Sequence, residues 1–131
     1  MMAHIALREA PHYRRNIFDA GFKKLGFKTQ FGITRPSPGD VLVIWNRYGV
    51  YHEKAKEFES VGAKVLVVEN AYLGREVLQN DDHWLAISVG HHLGAGNWPV
   101  GDASRWDDLK VKLSPWRVGG TETVVLLQRG I

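Results

Sequence analysis

Apolar residues in this chain fall into short runs separated by polar or glycine-containing turns. His4–Leu7 is the first. Val41-Leu42-Val43-Ile44-Trp45 is continuous and largely β-branched, and it follows the turn signal Pro36-Ser37-Pro38-Gly39-Asp40. Lys64-Val65-Leu66-Val67-Val68 is entered through Gly62. Trp84-Leu85-Ala86-Ile87-Ser88-Val89 and Thr123-Val124-Val125-Leu126-Leu127 follow. Runs this short and this uniformly apolar predict strands buried on both faces, as in a parallel sheet. Helical spacing appears between them. From Tyr13 to Leu25, the residues Ile17, Phe18, Gly21, Phe22 and Leu25 recur on one face and leave Arg14, Arg15, Lys23 and Lys24 to solvent. From Tyr51 to Val61, a stripe of Tyr51, Ala55, Phe58 and Val61 is surrounded by charges. Both patterns predict amphipathic helices. Lys28–Phe31 reads as a further short strand and Ser104–Val111 as a short helix with Ser104 at its N-cap. Residues 90–103 are Gly-rich, lack periodicity and read as a loop.

The second helix lies between the Val41 and Val65 strands. Strand–helix–strand is therefore expected there, with a right-handed crossover and parallel strands. The chain as a whole is expected to be α/β: a Rossmann-like, doubly wound, three-layer α/β/α domain of five or six mostly parallel strands. A flavodoxin-like order of the same elements fits the pattern equally. The 131 residues suit one such domain over positions 1–131.

Composition narrows the chemistry. Without Cys there is no disulfide, thiolate zinc site, iron–sulfur cluster or cysteine nucleophile. No apolar run approaches the roughly 20 residues that span a bilayer, and the amino terminus lacks the basic region of a signal peptide, so a cytoplasmic protein without a membrane partner is expected. The net charge of +3 is uneven: residues 1–50 hold eight Lys/Arg against three Asp/Glu, and residues 51–131 hold nine against eleven. The basic half suits a phosphate-bearing partner. A nucleic-acid-binding or protein-binding accessory module, acting through Arg14, Arg15, Lys23, Lys24 and Lys28, is the alternative function.

Parallel sheets bind ligands beyond the carboxyl ends of their strands, where the connecting loops converge. Those positions are Arg8 and Glu9; Asn46-Arg47-Tyr48-Gly49; Glu69 and Asn70; Gly90-His91-His92; and Gln128 and Arg129. Arg47 can hold a phosphate or carboxylate bidentately, and Glu69 with Asn70 can bind hydroxyls. Gly90 lets the backbone approach a ligand, and His91 or His92 is the candidate general base. Adjacent histidines in an extended segment point opposite ways, so one of the two is expected to face the site. Trp98, Trp106 and Trp116 lie in loop-rich sequence, where they either wall a ring-binding site or pack loops onto the sheet. The glycine spacing of 90–96 matches neither a phosphate-binding Walker loop nor a dinucleotide fingerprint. The serine-hydrolase elbow is absent as well. No metal and no cofactor is expected.

Three stretches carry a resemblance: Val-Glu-Asn-Ala-Tyr-Leu-Gly at 68–74, Trp-Leu-Ala-Ile-Ser-Val-Gly-His-His-Leu-Gly-Ala-Gly at 84–96, and Val-Leu-Leu-Gln-Arg-Gly at 125–130. Together they resemble the amino-terminal half of glycosyltransferase-like proteins of bacteriophages and bacteria, which have two-domain GT-B architecture. The resemblance covers roughly residues 40–131. It implies a Rossmann-like acceptor domain, a sugar, nucleotide or modified-base ligand, and site residues among Asn46, Glu69, Asn70, His91, His92, Gln128 and Arg129. It also implies that the donor nucleotide sugar belongs to a second domain. This chain alone is then not expected to transfer sugar, and a second domain or a homodimer would complete the cleft.

Overall fold

The computed structural model describes residues 1–10, 13–71, 85–92, 95–97, 100–116 and 118–121. The predicted strand Thr123–Leu127 lies outside them, as do Trp84, Trp98, Gln128 and Arg129. The chain divides into two compact units, Met1–Pro99 and Val100–Ile131. The first holds β1 (Met2–Ile5), α1 (Tyr13–Lys24), β2 (Lys28–Phe31), β3 (Val41–Ile44), α2 (Val50–Ser60), β4 (Lys64–Asn70) and β5 (Leu85–Val89). The second holds α3 (Ser104–Asp108). Here Ser104 is the first helical residue and not the cap. Its N–H and hydroxyl both donate to Asp102 Oδ1, at 3.0 and 2.5 Å. Trp106 and Trp116 are exposed.

The protein is α/β, with one five-stranded, mostly parallel sheet in the order β2-β1-β3-β4-β5. β1 pairs in parallel with β2 and β3, and β3 with β4. β5 is antiparallel to β4, with Leu66 opposite Val89 and Asn70 opposite Leu85. The sheet is mostly parallel, as expected, and β5 is its antiparallel member. A continuous apolar run reports burial on both faces and carries no direction, and antiparallel edge strands on parallel sheets are common.

Residues alternate between the two faces of the sheet. On one, Ala3, Ile5, Val41, Val43 and Val68 pack with Phe18 and Phe22 of α1. On the other, Leu42, Ile44, Val65 and Val67 pack with Ala55 and Phe58 of α2. Ile17 and Leu25, expected on the core stripe of α1, are exposed. Phe18 and Phe22 already fill that face of the helix.

The two helices end in the same way. In α1, Gly26 N–H donates to Lys23 O and Phe27 N–H to Phe22 O; in α2, Gly62 N–H donates to Glu59 O and Ala63 N–H to Phe58 O. Gly26 and Gly62 have φ of 81° and 80°, a left-handed conformation that an L side chain disfavours. These are Schellman terminations, and Phe27 adds the accompanying apolar contact by meeting Phe22 edge-on at 5.3 Å. Each throws the chain straight into a strand.

The β2–β3 connection, residues 32–40, has no helix. It follows the α2 side of β1, where Ile33 joins the core and Thr34 meets the buried His4. His4 Nδ1 accepts the Thr34 N–H at 3.4 Å, and its Nε2 lies 3.5 Å from Asp40 Oδ2. Asp40 in turn accepts the N–H groups of Met2 at 2.7 Å and Ser37 at 2.9 Å. Burial of the Asp40 carboxyl opposes its ionisation. The two N–H groups and the His4 ring outweigh that cost and hold Asp40 below the usual carboxylate range.

Candidate functional site

In a sheet ordered 2-1-3-4, successive connections leave β1 and β3 in opposite directions, and a crevice opens between the carboxyl ends of those two strands. A cavity of about 310 Å³ lies there, lined by Ala6, Arg8, Arg14, Trp45, Asn46 and Tyr51. Ala6 follows β1 and donates its N–H to Val43 O at 2.8 Å, which leaves only a methyl group at this position between the strands. Trp45 and Asn46 follow β3 directly. Arg14 sits in the first turn of α1, a turn without acidic residues. Tyr51 sits in the first turn of α2.

Arg14 organises this rim. Its Cζ lies 3.8 Å from the centroid of the Trp45 ring, and its Nη2 donates to Asn70 Oδ1 at 3.4 Å. Asn70 ends β4, so the ends of β3 and β4 are joined through one guanidinium. The stacked cation favours an anion, as does the start of a helix. The indole and phenol offer flat apolar surface, and the two amides offer donors and acceptors. That donor set suits a ring-bearing phosphate ester.

The other predicted residues lie elsewhere. Antiparallel β5 carries Gly90 to the opposite end of β4, where Gly90 N–H donates to Val65 O at 2.8 Å. The structure therefore separates Gly90 from Asn70, while His92 stays within reach of the turn after β3. Gly90 has φ 82° and turns the chain at the end of β5. Gly96 closes the same turn by antiparallel return: Val89 and Asn97 exchange backbone hydrogen bonds of 3.3 and 2.7 Å, and a Cβ on Gly96 would strike His91 O.

Arg47 also leaves the rim. It forms a bidentate pair with Glu59, Nη1–Oε1 at 2.6 Å and Nη2–Oε2 at 2.7 Å, and it donates to Gly90 O. Its fork is thus occupied by protein groups. Tyr48 OH meets His92 Nε2 at 2.7 Å. The His91 and His92 rings stack 4.5 Å apart, 26° from parallel, because they stand in a turn and not in an extended strand. Their expected opposite orientation does not occur. Glu69 lies on the α2 side by strand alternation, away from Asn70, and its charge acts on His92. Among the described residues, no three His, Asp or Glu side chains gather as a metal would require.

Burial, joined by the charge of His91, pushes the His92 imidazole below its ordinary pKa; Glu69 pulls the other way. A depressed folded-state value means that the unfolded chain binds the proton more readily. The stabilisation is therefore complete above about pH 6.5, the unperturbed value, and is lost as pH falls through the folded one. Denaturant unfolding is expected to show stability declining below pH 6.5, and His92→Gln is expected to flatten that decline. An unchanged slope in the variant would place the titration on another group.

Of the strand-end residues named from sequence, Arg8 and Asn46 line this crevice and Asn70 bonds Arg14. Arg14, Trp45 and Tyr51, which also line it, were not among those candidates. Arg14 looked like a solvent-facing helix residue, and only the strand order shows that its turn stands over the β1–β3 crevice. Comparison of the chain with protein-family profiles, with curated proteins and with solved structures finds no match. No helix among the described residues is long and apolar enough to cross a membrane.

Proposed function

We propose that this chain is a Rossmann-like, doubly wound, three-layer binding domain that holds a nucleotide or sugar-phosphate ligand at the carboxyl ends of β1 and β3. This is the acceptor-side role implied by the resemblance to glycosyltransferase-like proteins, and catalysis of sugar transfer is left to a second domain or subunit. The observation that carries the reading is the Arg14–Trp45 stack inside the crevice between β1 and β3. Arg8 and Arg14 neutralise the phosphate, Trp45 and Tyr51 cover a ring, and Asn46 and Asn70 bond hydroxyls or base edges. Arg47 and Gly90 hold the turn after β5 instead of the ligand. His92 is engaged by the Tyr48 hydroxyl and neither His91 nor His92 lines this crevice, so the reading assigns no histidine base to the ligand.

Titration with mononucleotides, nucleoside diphosphate sugars and sugar phosphates, followed by tryptophan fluorescence, tests the proposal. At least one class is expected to change the signal, and Trp45→Phe is expected to remove most of that change. Arg14→Ala is expected to weaken binding about tenfold or more, the loss of a charge-assisted contact. A folded protein that responds to none of the three classes would refute the reading.

A further inference from the structure

The rim continues past β1. A second hollow of about 400 Å³ opens on the β2 side, lined by Leu7, Arg15, Phe31 and Ile33 among others. Ala6 and Tyr51 line both hollows. The construction of the first is repeated in the second. Arg15 Cζ lies 4.0 Å from the centroid of Phe31, as Arg14 lies 3.8 Å from that of Trp45. Two consecutive arginines in the first turn of α1 thus diverge, one onto the aromatic that ends β2 and the other onto the aromatic that follows β3.

The two stacks share a face. Phe31 is in register with Ile5, and Trp45 follows Ile44, so both rings lie on the α1 side of the sheet. β2 and β3 flank β1, which sets the stacks two strand spacings apart, roughly 10 Å. Phe31 is 48% exposed, unusually open for a phenyl ring at a strand end. Among the described residues, Arg15 pairs with Glu9 at 3.9 Å, whose side chain is 87% exposed. Such a pair is screened by water and yields readily to a better anion. Bases stack on aromatic rings and on guanidinium planes alike, and the cations serve the phosphate between them.

We infer that the rim takes two bases joined by a phosphate, one base in each hollow, with the linking phosphate over Ala6 between Arg14 and Arg15. The inference rests on the nucleotide reading of the first hollow. The unit can arrive as a free dinucleotide or as one step of a single strand. A duplex does not fit, because its neighbouring bases stay stacked at a rise of roughly 3.4 Å.

Calorimetric titration of the intact chain with adenosine monophosphate, a 5′-phosphorylated adenylate dinucleotide, a single-stranded oligoadenylate and a duplex of the same length decides the matter. The dinucleotide is expected to bind about tenfold tighter than the mononucleotide, the gain from one added stacked base. Phe31→Ala and Arg15→Ala are expected to erase that gain while leaving mononucleotide affinity unchanged. Arg15 lies outside the sheet, so its variant keeps the test open if Phe31→Ala disturbs β2. An oligoadenylate that binds tighter still, with a steeper salt dependence, identifies the single strand as the source; equal affinity identifies the free dinucleotide. If the mononucleotide binds and the dinucleotide binds no better, the second hollow is not a subsite and the first proposal stands. Variants that weaken both ligands equally, or a duplex that competes as well as the single strand, overturn the inference. If no nucleotide binds at all, this inference falls, and the first proposal falls with it only if sugar phosphates also fail to bind.

Discussion

Phe58→Ala is expected to lower the unfolding free energy by about 3–5 kcal/mol, the usual cost of emptying a buried phenyl site. Phe58 has no exposed surface and is the largest fully buried side chain described. It stands in the last turn of α2 and packs against Leu42, Ile44, Val65 and Val67 across β3 and β4. Its ring also meets the buried His4 imidazole edge-on, with centroids 4.9 Å apart. Its carbonyl accepts the Ala63 N–H that closes the helix. Truncation leaves a void beneath two strands and an imidazole without its aromatic neighbour. The surrounding β-branched side chains have few rotamers with which to fill that void. Equilibrium urea unfolding measures the loss. A cost under about 1.5 kcal/mol would show that the site collapses freely and that α2 is held elsewhere.

Asp40→Asn is expected to cost about 2–4 kcal/mol at neutral pH, as expected when a buried, hydrogen-bonded carboxylate is replaced by an amide. Both carboxylate oxygens are committed, Oδ1 to Met2 N–H and Oδ2 to Ser37 N–H. An amide in the same place turns a donor toward one of those donors. The sign with pH follows from the depressed folded-state value of Asp40. Its contribution is complete above the unfolded carboxylate value of about 3.9 and is lost as pH falls through the folded one. The gap between wild type and variant should therefore close on acidification below about pH 4. A gap that stays constant from pH 7 to pH 2.5 would mean that shape, and not charge, makes Asp40 matter.

Much of the fold was legible because its signals are local. Val41–Ile44 and Lys64–Val68 contain little but β-branched and aliphatic residues and became adjacent parallel strands. Gly62 was legible as the entry to β4, and in the structure it also closes α2. β4 runs on through Glu69 and Asn70, which places those two side chains on opposite faces; a polar strand end looks the same as a loop from sequence. The orientation of β5 was not legible. Ile87 is 45% exposed and Ser88 is buried, the reverse of what their polarity suggests, so the run gave no guide to its edge position. The antiparallel direction carried Gly90 to the amino end of β4, and His92 meets Tyr48 instead of lining the crevice. Arg14 and Arg15 were visible as charges on a helix. Their neighbours Trp45 and Phe31 lie far from them in sequence, and only the strand order brings them together.

The anchoring of β1 has a practical consequence. Met2 is clamped by Asp40, and Met1 lies against the Pro38–Gly39 turn, at the amino ends of the parallel strands. Both hollows open at the other ends. A surface tether or fusion partner attached ahead of Met1 is therefore directed away from the ligand rim, and a chip-bound sample made this way should present its two Arg-aromatic platforms unobstructed to the solution.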